Sequence, residues 1–228
     1  MSSKNAQNKA TVIFEIFSPY EDRLSYFIGT KKSPLPKIKT GEMVEFSEQL
    51  HGDTIVIVNG SQKKSSKNNQ PLRGDALITD LPGKALTIRI ADCLSLLVFD
   101  PQKNVIANIH AGWRGIAARI IKKTIQKLHK TFRSIPEDLL IGISPSIGPC
   151  CFNMSNPIKE LPVFMRTFIL LNNHVDLWAA AESQLIQSGV RLENIENQKI
   201  CTACNNDTFY SYRKDDTERF YTAIMLTK

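Results

Sequence analysis

Long apolar runs are missing from this chain: none of its 228 residues fall in a stretch of the roughly 20 apolar residues that cross a bilayer, so no membrane partner is expected. The opening MSSKNAQNKA has no apolar core of the kind a secretory leader carries, and the expected location is the cytoplasm. Cysteine is scarce and odd in number: Cys93, Cys150, Cys151, Cys201 and Cys204, two of them adjacent, make a poor disulfide framework. Reduced thiols with packing, metal or catalytic roles fit better. Heptads and long internal repeats are absent. A charge of +7 raises the question of nucleic acid, but the basic residues are dispersed apart from Lys31-Lys32, the Lys63–Lys67 run and Lys122-Lys123. Aromatic residues are not interleaved with them as stacking platforms require. The field instead suits small anionic or phosphate-bearing substrates.

What remains is an ordinary globular composition, 42% hydrophobic and 22% charged, in a chain long enough for one core spanning residues 1–228. Thr11 to Phe17 alternates and predicts a first strand, Gly29 to Gly41 a loop, and Thr54 to Val58 a short buried strand. Ala85–Ile90, Leu94–Phe99 and Val105–Ile109 are apolar β-rich runs, the last two joined by a turn-forming Asp100–Asn104 segment that predicts a hairpin. His110-Ala-Gly-Trp-Arg-Gly115 then leads into Ile116, Ile120, Ile121, Ile125 and Leu128 at helical spacing. Leu139–Ile143 predicts a strand, Lys159–Leu171 and Asp176–Ser188 helices, and Tyr210–Arg213 and Phe220–Met225 closing strands. This is an α/β or α+β mixture with hairpins, not the regular alternation of a doubly wound fold.

The hairpin carries a geometric argument. If Phe99 and Asn104 close its turn, Cys93 lies opposite His110, with Cβ atoms about 4.5–5.5 Å apart. One zinc bridges such a gap with bonds of about 2.3 Å to sulfur and 2.0–2.1 Å to nitrogen. Among the other histidines, His129 reads as a solvated helix-end residue and His174 lies near a helix start. His51, in Gln49-Leu50-His51-Gly52 before a strand, is the third candidate. Three protein ligands leave a fourth position for water, the pattern of a catalytic site. Spacing alone leaves open the plainer reading of Cys93 as a small buried hydrophobe and His110 as a satisfied core residue.

Ala91-Asp92-Cys93, His110-Ala-Gly-Trp-Arg-Gly115 about 17 residues later, and Ile147-Gly-Pro-Cys-Cys151 together resemble the YfiH-like family. Members of that family have been described as multi-copper polyphenol oxidoreductases (laccase-like) and as purine nucleoside phosphorylases with adenosine deaminase activity. Gln49–Gly52, Asp75–Thr79 and Ser211-Tyr212-Arg213 are similar to further landmarks, in the same order, so the likeness runs from about Gln49 to Arg219. The resemblance implies His51, Cys93 and His110 as metal ligands, zinc or copper as the cofactor, and a layered α/β/β/α sandwich with mixed sheets, similar to the cytotoxic necrotizing factor type. Residues 1–48 depart from the family pattern, and the arginine that helps bind phosphate lacks a counterpart, with Lys37 or Lys39 as substitutes.

Within that resemblance, Arg114 suits phosphate or carbonyl recognition through its rigid fork of donors, with backbone N–H groups of Gly112–Ile116 beside it. Cys150 could serve as a catalytic acid, base or nucleophile, and Arg213 could reach the substrate. Asp92 should point to the other face and support Cys93, and Cys201 and Cys204 read as structural. The implied reaction is phosphorolysis of a purine nucleoside by phosphate, adenosine deamination, or both. Editing of peptidoglycan precursors, phenol oxidation by a copper-loaded chain and a non-catalytic role are the alternatives. No feature sets the oligomeric state.

Overall fold

The computed structural model describes residues 12–36, 41–60 and 71–228. In chain order its strands are β1 (Leu24–Ile28), β2 (Glu42–Glu45), β3 (Glu48–Gln49), β4 (Ile55–Ile57), β5 (Arg73–Gly74) and β6 (Ala76–Thr79). They continue with β7 (Lys84–Ile90), β8 (Leu94–Asp100), β9 (Val105–Ala111), β10 (Leu140–Ile143), β11 (Ile195–Asn197) and β12 (Phe220–Leu226). The α-helices are α1 (Trp113–Ala117), α2 (Ile120–Phe132), α3 (Pro157–Glu160) and α4 (Leu177–Gln187). Among the described residues, no helix is long and apolar enough to cross a membrane.

Two mixed sheets carry the fold, as the α+β pattern implies. The smaller has the order β1-β12-β7-β2 and the larger β11-β10-β8-β9-β6-β4, while β3 and β5 form a separate two-stranded ribbon. Strand β8 shows why the middle of the sequence reads as continuous apolar runs. Leu94, Leu96 and Val98 pack under the helices with Ile116, Ile120, Ile121, Ile125 and Leu128. Leu97 and Phe99, on the other face, pack against Leu86, Ile88, Phe220 and Ile224 of the smaller sheet. Covered on both faces, the strand has no polar side to alternate with.

Several expected elements differ. Thr11 lies outside the described residues, and the rest of the expected first strand is an extended segment followed by a 3₁₀ helix over Glu15–Tyr20. Phe14 and Phe17, one 3₁₀ turn apart, stack edge-on at 5.6 Å and both meet Tyr26, so aromatic packing outweighs the alternation. Thr54–Val58 contains a strand, but β4 is a half-buried edge rather than a buried one. The helix expected over Lys159–Leu171 breaks at Pro162, which forces Leu161 into extended backbone and leaves α3 and a 3₁₀ turn over Val163–Phe168. Tyr210–Arg213 is not a strand; Tyr212–Lys214 form a 3₁₀ turn. The helix after His110 is divided in two by Arg119, which is left-handed at φ 64°.

The hairpin register is shifted by two residues from the expected one. Asp100 pairs with Val105, and its carboxylate accepts the N–H groups of Gln102 and Lys103 at 2.9 Å each, fixing the loop at residues 101–104. His110 therefore lies opposite Ser95, not Cys93. A shift by two preserves the face, so Cys93 and His110 remain neighbours on a diagonal.

Behind them lies a buried polar cluster between the sheets. The Ser95 hydroxyl donates to Asn108 Oδ1 at 2.7 Å and sits 2.6 Å from Thr222 Oγ1, while Asn108 Nδ2 donates to the Leu86 carbonyl at 3.0 Å. Buried polar groups hold only with their partners in place, so this cluster fixes how β9 sits against β7 and β12. Asn108→Ala is expected to destabilise the fold by about 1–3 kcal/mol, since it removes the buried amide that bonds the Ser95 hydroxyl and the Leu86 carbonyl. Urea unfolding measures this, and an unchanged midpoint would assign the cluster no role in holding the sheets.

Candidate metal centre

The open end of the hairpin brings three donor side chains together. His110 is the last inward-facing residue of β9, in the row of Ile106 and Asn108. Cys93 precedes β8, and Asp92 before it takes a left-handed φ of 83°, which turns the chain into the strand. His51 comes from the loop after β3, itself left-handed at φ 56°. One donor atom from each of the three lies within 4.8 Å of the others. The His51 and His110 rings stand edge to face at 4.7 Å between centroids. His110 is buried and His51 is exposed, so the group is closed from behind and open toward solvent.

Asp75 organises this arrangement. Its carboxylate is fully buried at the start of β6, with Oδ1 accepting the His51 N–H at 2.8 Å and Oδ2 the Gly52 N–H at 2.9 Å. The same Oδ1 lies 2.9 Å from His110 Nδ1, which leaves Nε2 of that ring for the shared centre. The loop is tied a second time by Gln49, whose side-chain amide accepts the Arg89 N–H and donates to the Arg89 carbonyl, both at 2.9 Å. Asp75 figures in the sequence only as part of a landmark string. The available signal was an acidic residue leading directly into the apolar Ala76–Thr79, where a buried carboxylate demands partners.

Two glycines of the His110–Gly115 string are explained by close approach. A Cβ on Gly112 would lie 2.8 Å from Cys93 Sγ and 3.6 Å from the His51 ring, filling the space between the donors. A Cβ on Gly115 would lie 3.1 Å from the Gly52 carbonyl oxygen, against the loop that carries His51. The donor set and this cradle fit a metal ion: two imidazoles and a thiolate suit zinc, with a fourth position open.

Without a metal the site is a charge pair. Burial pushes the Cys93 thiol up, but the His110 charge and hydrogen bonds from His110 and His51 outweigh it, and the pKa falls to about 6. Burial pushes His110 down, yet the Cys93 charge and the Asp75 carboxylate hold it protonated to about 9. Burial raises the Asp75 carboxyl, and hydrogen bonds from His110, Gly52 and His51 bring it below its ordinary value.

The other expected residues are placed as follows. Arg114 is exposed on α1 with its guanidinium 4.4 Å from the Trp113 ring, and it makes no ion pair among the described residues. It is the second residue of that five-residue helix. Asp92 turns away from the donors, accepting from Thr202 Oγ1 at 2.6 Å and the Arg213 N–H at 2.7 Å, the supporting position expected of it. The Arg213 guanidinium donates to the Cys151 carbonyl at 2.6 Å and to Asn153, so its donors hold that loop rather than reaching freely for a substrate. Cys150 groups with Cys151, Cys201 and Cys204, not with the histidines. His129 and His174 face the carbonyls of Ser134 and Pro149. Lys37 and Lys39 lie outside the described residues.

A family model described as multi-copper polyphenol oxidoreductase laccase matches residues 35–227. A purine nucleoside phosphorylase of Bacteroides thetaiotaomicron is 35% identical over 194 residues, covering 79% of this chain and 72% of that protein. An adenosine deaminase from an unknown prokaryotic organism is 30% identical over 151 residues, covering 61% of this chain and 56% of that protein. The crystal structure of a Bacillus licheniformis protein, YfiH, superposes with a TM-score of 0.80 at 21% identity, covering 96% of this chain and 97% of that one.

Two outcomes check the site. Asp75→Asn replaces one acceptor oxygen by a donor, which then faces either the Gly52 N–H or the His51 N–H together with the His110 imidazole. It is expected to weaken metal binding by about 10–100-fold, measured by competition with a chelator, and undiminished affinity would remove Asp75 from the site. In the metal-free chain, lowering pH through about 6 neutralises the Cys93 thiolate, so its alkylation rate should be half-maximal there. In His110→Ala the midpoint should move up toward the ordinary thiol value; a midpoint that stays in place would remove the charge pair.

Proposed function

The chain belongs to the multi-copper polyphenol oxidoreductase laccase family, the YfiH-like proteins, and from that premise we propose that it is a zinc-dependent purine nucleoside enzyme. The reactions are phosphorolysis of adenosine, inosine or methylthioadenosine, deamination of adenosine, or both. The observation that carries the reading is the convergence of His51, Cys93 and His110 on one point that is walled behind and open in front. The relatives named for both reactions support it.

His51, Cys93 and His110 would hold the zinc, which would supply a Lewis acid and the means to activate a water near neutral pH. The chain's own residues do the rest. Asp75 holds the His110 ring by its Nδ1 and fixes the His51 loop, so both imidazoles are presented without further ordering. Gly112 leaves the space between them empty of side chain. Arg114, 4.4 Å over the Trp113 ring and free of an anionic partner among the described residues, offers a guanidinium fork to phosphate. In phosphorolysis a phosphate oxygen attaches to ribose C1′ as the bond to the purine nitrogen breaks. The base leaves with the electron pair and takes up a proton. In deamination water replaces the amino group at C6 and ammonia departs.

Phenol oxidation through several coppers finds little support in the donor inventory. Among the described residues the second group of potential metal donors is four cysteines, and the two remaining histidines are engaged by carbonyls.

A panel of nucleosides with and without phosphate tests the proposal on the zinc-loaded protein. Free base and ribose 1-phosphate should appear only with phosphate, and inosine with ammonia should form from adenosine without it. His110→Ala and Cys93→Ala should each lower kcat/KM by at least about 100-fold, since a Lewis acid is worth several kcal/mol. Absence of turnover on every nucleoside by the loaded chain would overturn the assignment.

A further inference from the structure

Four thiols that the nucleoside chemistry does not use meet at a second point. Cys150 and Cys151 close the turn after Gly148, where the Cys151 N–H bonds the Gly148 carbonyl at 3.0 Å. Cys201 and Cys204 begin and end the next such turn, where the Asn205 N–H bonds the Cys201 carbonyl at 3.0 Å. The two turns are laced together by main chain: Ser146 N–H donates to the Ile200 carbonyl and Thr202 N–H to the Ser146 carbonyl, both at 3.1 Å. A single Cys-x-x-Cys is weak evidence for a metal, but here the fold supplies the second pair.

All four sulfurs lie within 4.8 Å of one another. Cys204 Sγ is 3.5 Å from that of Cys150 and 3.4 Å from that of Cys151. Four Zn–S bonds of about 2.3 Å directed to tetrahedral corners space the sulfurs about 3.8 Å apart, so the two shortest contacts fall a few tenths of an ångström inside that spacing and every pair stays within 4.8 Å. Cys204 stands almost equally far from two sulfurs, which fits a common centre better than paired disulfides. The Gly148 N–H donates to Cys201 Sγ at 3.2 Å, a hydrogen bond that favours the thiolate. Cys150 and Cys201 also line an open cleft of about 580 Å³ that Lys199 lines as well, which gives an ion a way in.

We propose that Cys150, Cys151, Cys201 and Cys204 form a closed tetrathiolate site for zinc, with a structural role. Binding displaces four thiol protons to solvent and leaves a complex of net charge −2, with Lys199 lining the same cleft and Arg213 bonded to the Cys151 carbonyl. The site braces the metal centre described above through one residue: Thr202, inside the second turn, donates to Asp92, and Asp92 adjoins Cys93.

Metal analysis of the purified chain under reducing conditions tests this. The wild type should carry two zinc equivalents, and Cys204→Ser, at an exposed position, and Cys93→Ser should each carry one. Cobalt titration of the unaltered chain reads the same point without a substitution. The first and second equivalents should give distinct spectra, one of them with the intense sulfur-to-cobalt charge transfer of four thiolates. One equivalent only, lost with Cys93→Ser and kept with Cys204→Ser, would overturn the proposal. So would a cobalt titration that saturates without the spectrum of four thiolates, or a non-reduced mass showing these four cysteines oxidised to disulfides. None of these readouts depends on nucleoside turnover.

Discussion

A single buried carboxylate holds the candidate centre together. Asp75 has no exposure and three donors: the N–H groups of His51 and Gly52 and the Nδ1 of His110. A buried charge of this kind costs several kcal/mol unless its hydrogen bonds are complete, so the loop and the ring must both be where the carboxylate needs them. That requirement explains the left-handed backbone at His51, whose N–H has to point at the acid while its side chain points at the centre. It also explains why Gly115 has little room for a side chain, since the same loop presses its Gly52 carbonyl against α1. The donors come from three distant parts of the chain, and one acid relates two of them to a rigid strand.

The sequence made much of this readable, for physical reasons that differ from part to part. The apolar runs of β7 to β9 were legible because strands covered on both faces need continuous hydrophobicity. The pairing of Cys93 with His110 was reached through a register that is wrong by two residues, and the error was harmless because side chains alternate with a period of two. What failed were features set by particular side chains rather than by pattern. Asp100 caps its own turn and moves the register. Phe14 and Phe17 choose a 3₁₀ turn for their rings, and Arg119 divides the helix after His110 without a glycine or proline to announce it. The fourfold meeting of cysteines could not be read at all, because it depends on a lacing of Ser146 to Cys201 across more than fifty residues of chain.

The two sulfur-bearing centres are not independent parts of the molecule. Asp92 repeats, on the Cys93 side, what Asp75 does on the histidine side: one buried carboxylate accepts from Thr202 on one oxygen and from the Arg213 N–H on the other, and its carbonyl accepts the Ile147 N–H at 2.8 Å. The loops of Ile147, Thr202 and Arg213 are thereby fastened to the residue before Cys93. Arg213 carries the connection onward, because its guanidinium grips the Cys151 and Asn153 carbonyls. Loops ordinarily move more than the strands they join, and a thiolate that must meet two imidazoles tolerates little drift. Asp92 holds a left-handed backbone, which Asp tolerates better than most residues with a side chain, and from there its carboxylate reaches both loops. The geometry at Cys93 is therefore set from behind by the cysteine-rich turns, just as the geometry at His110 is set by Asp75.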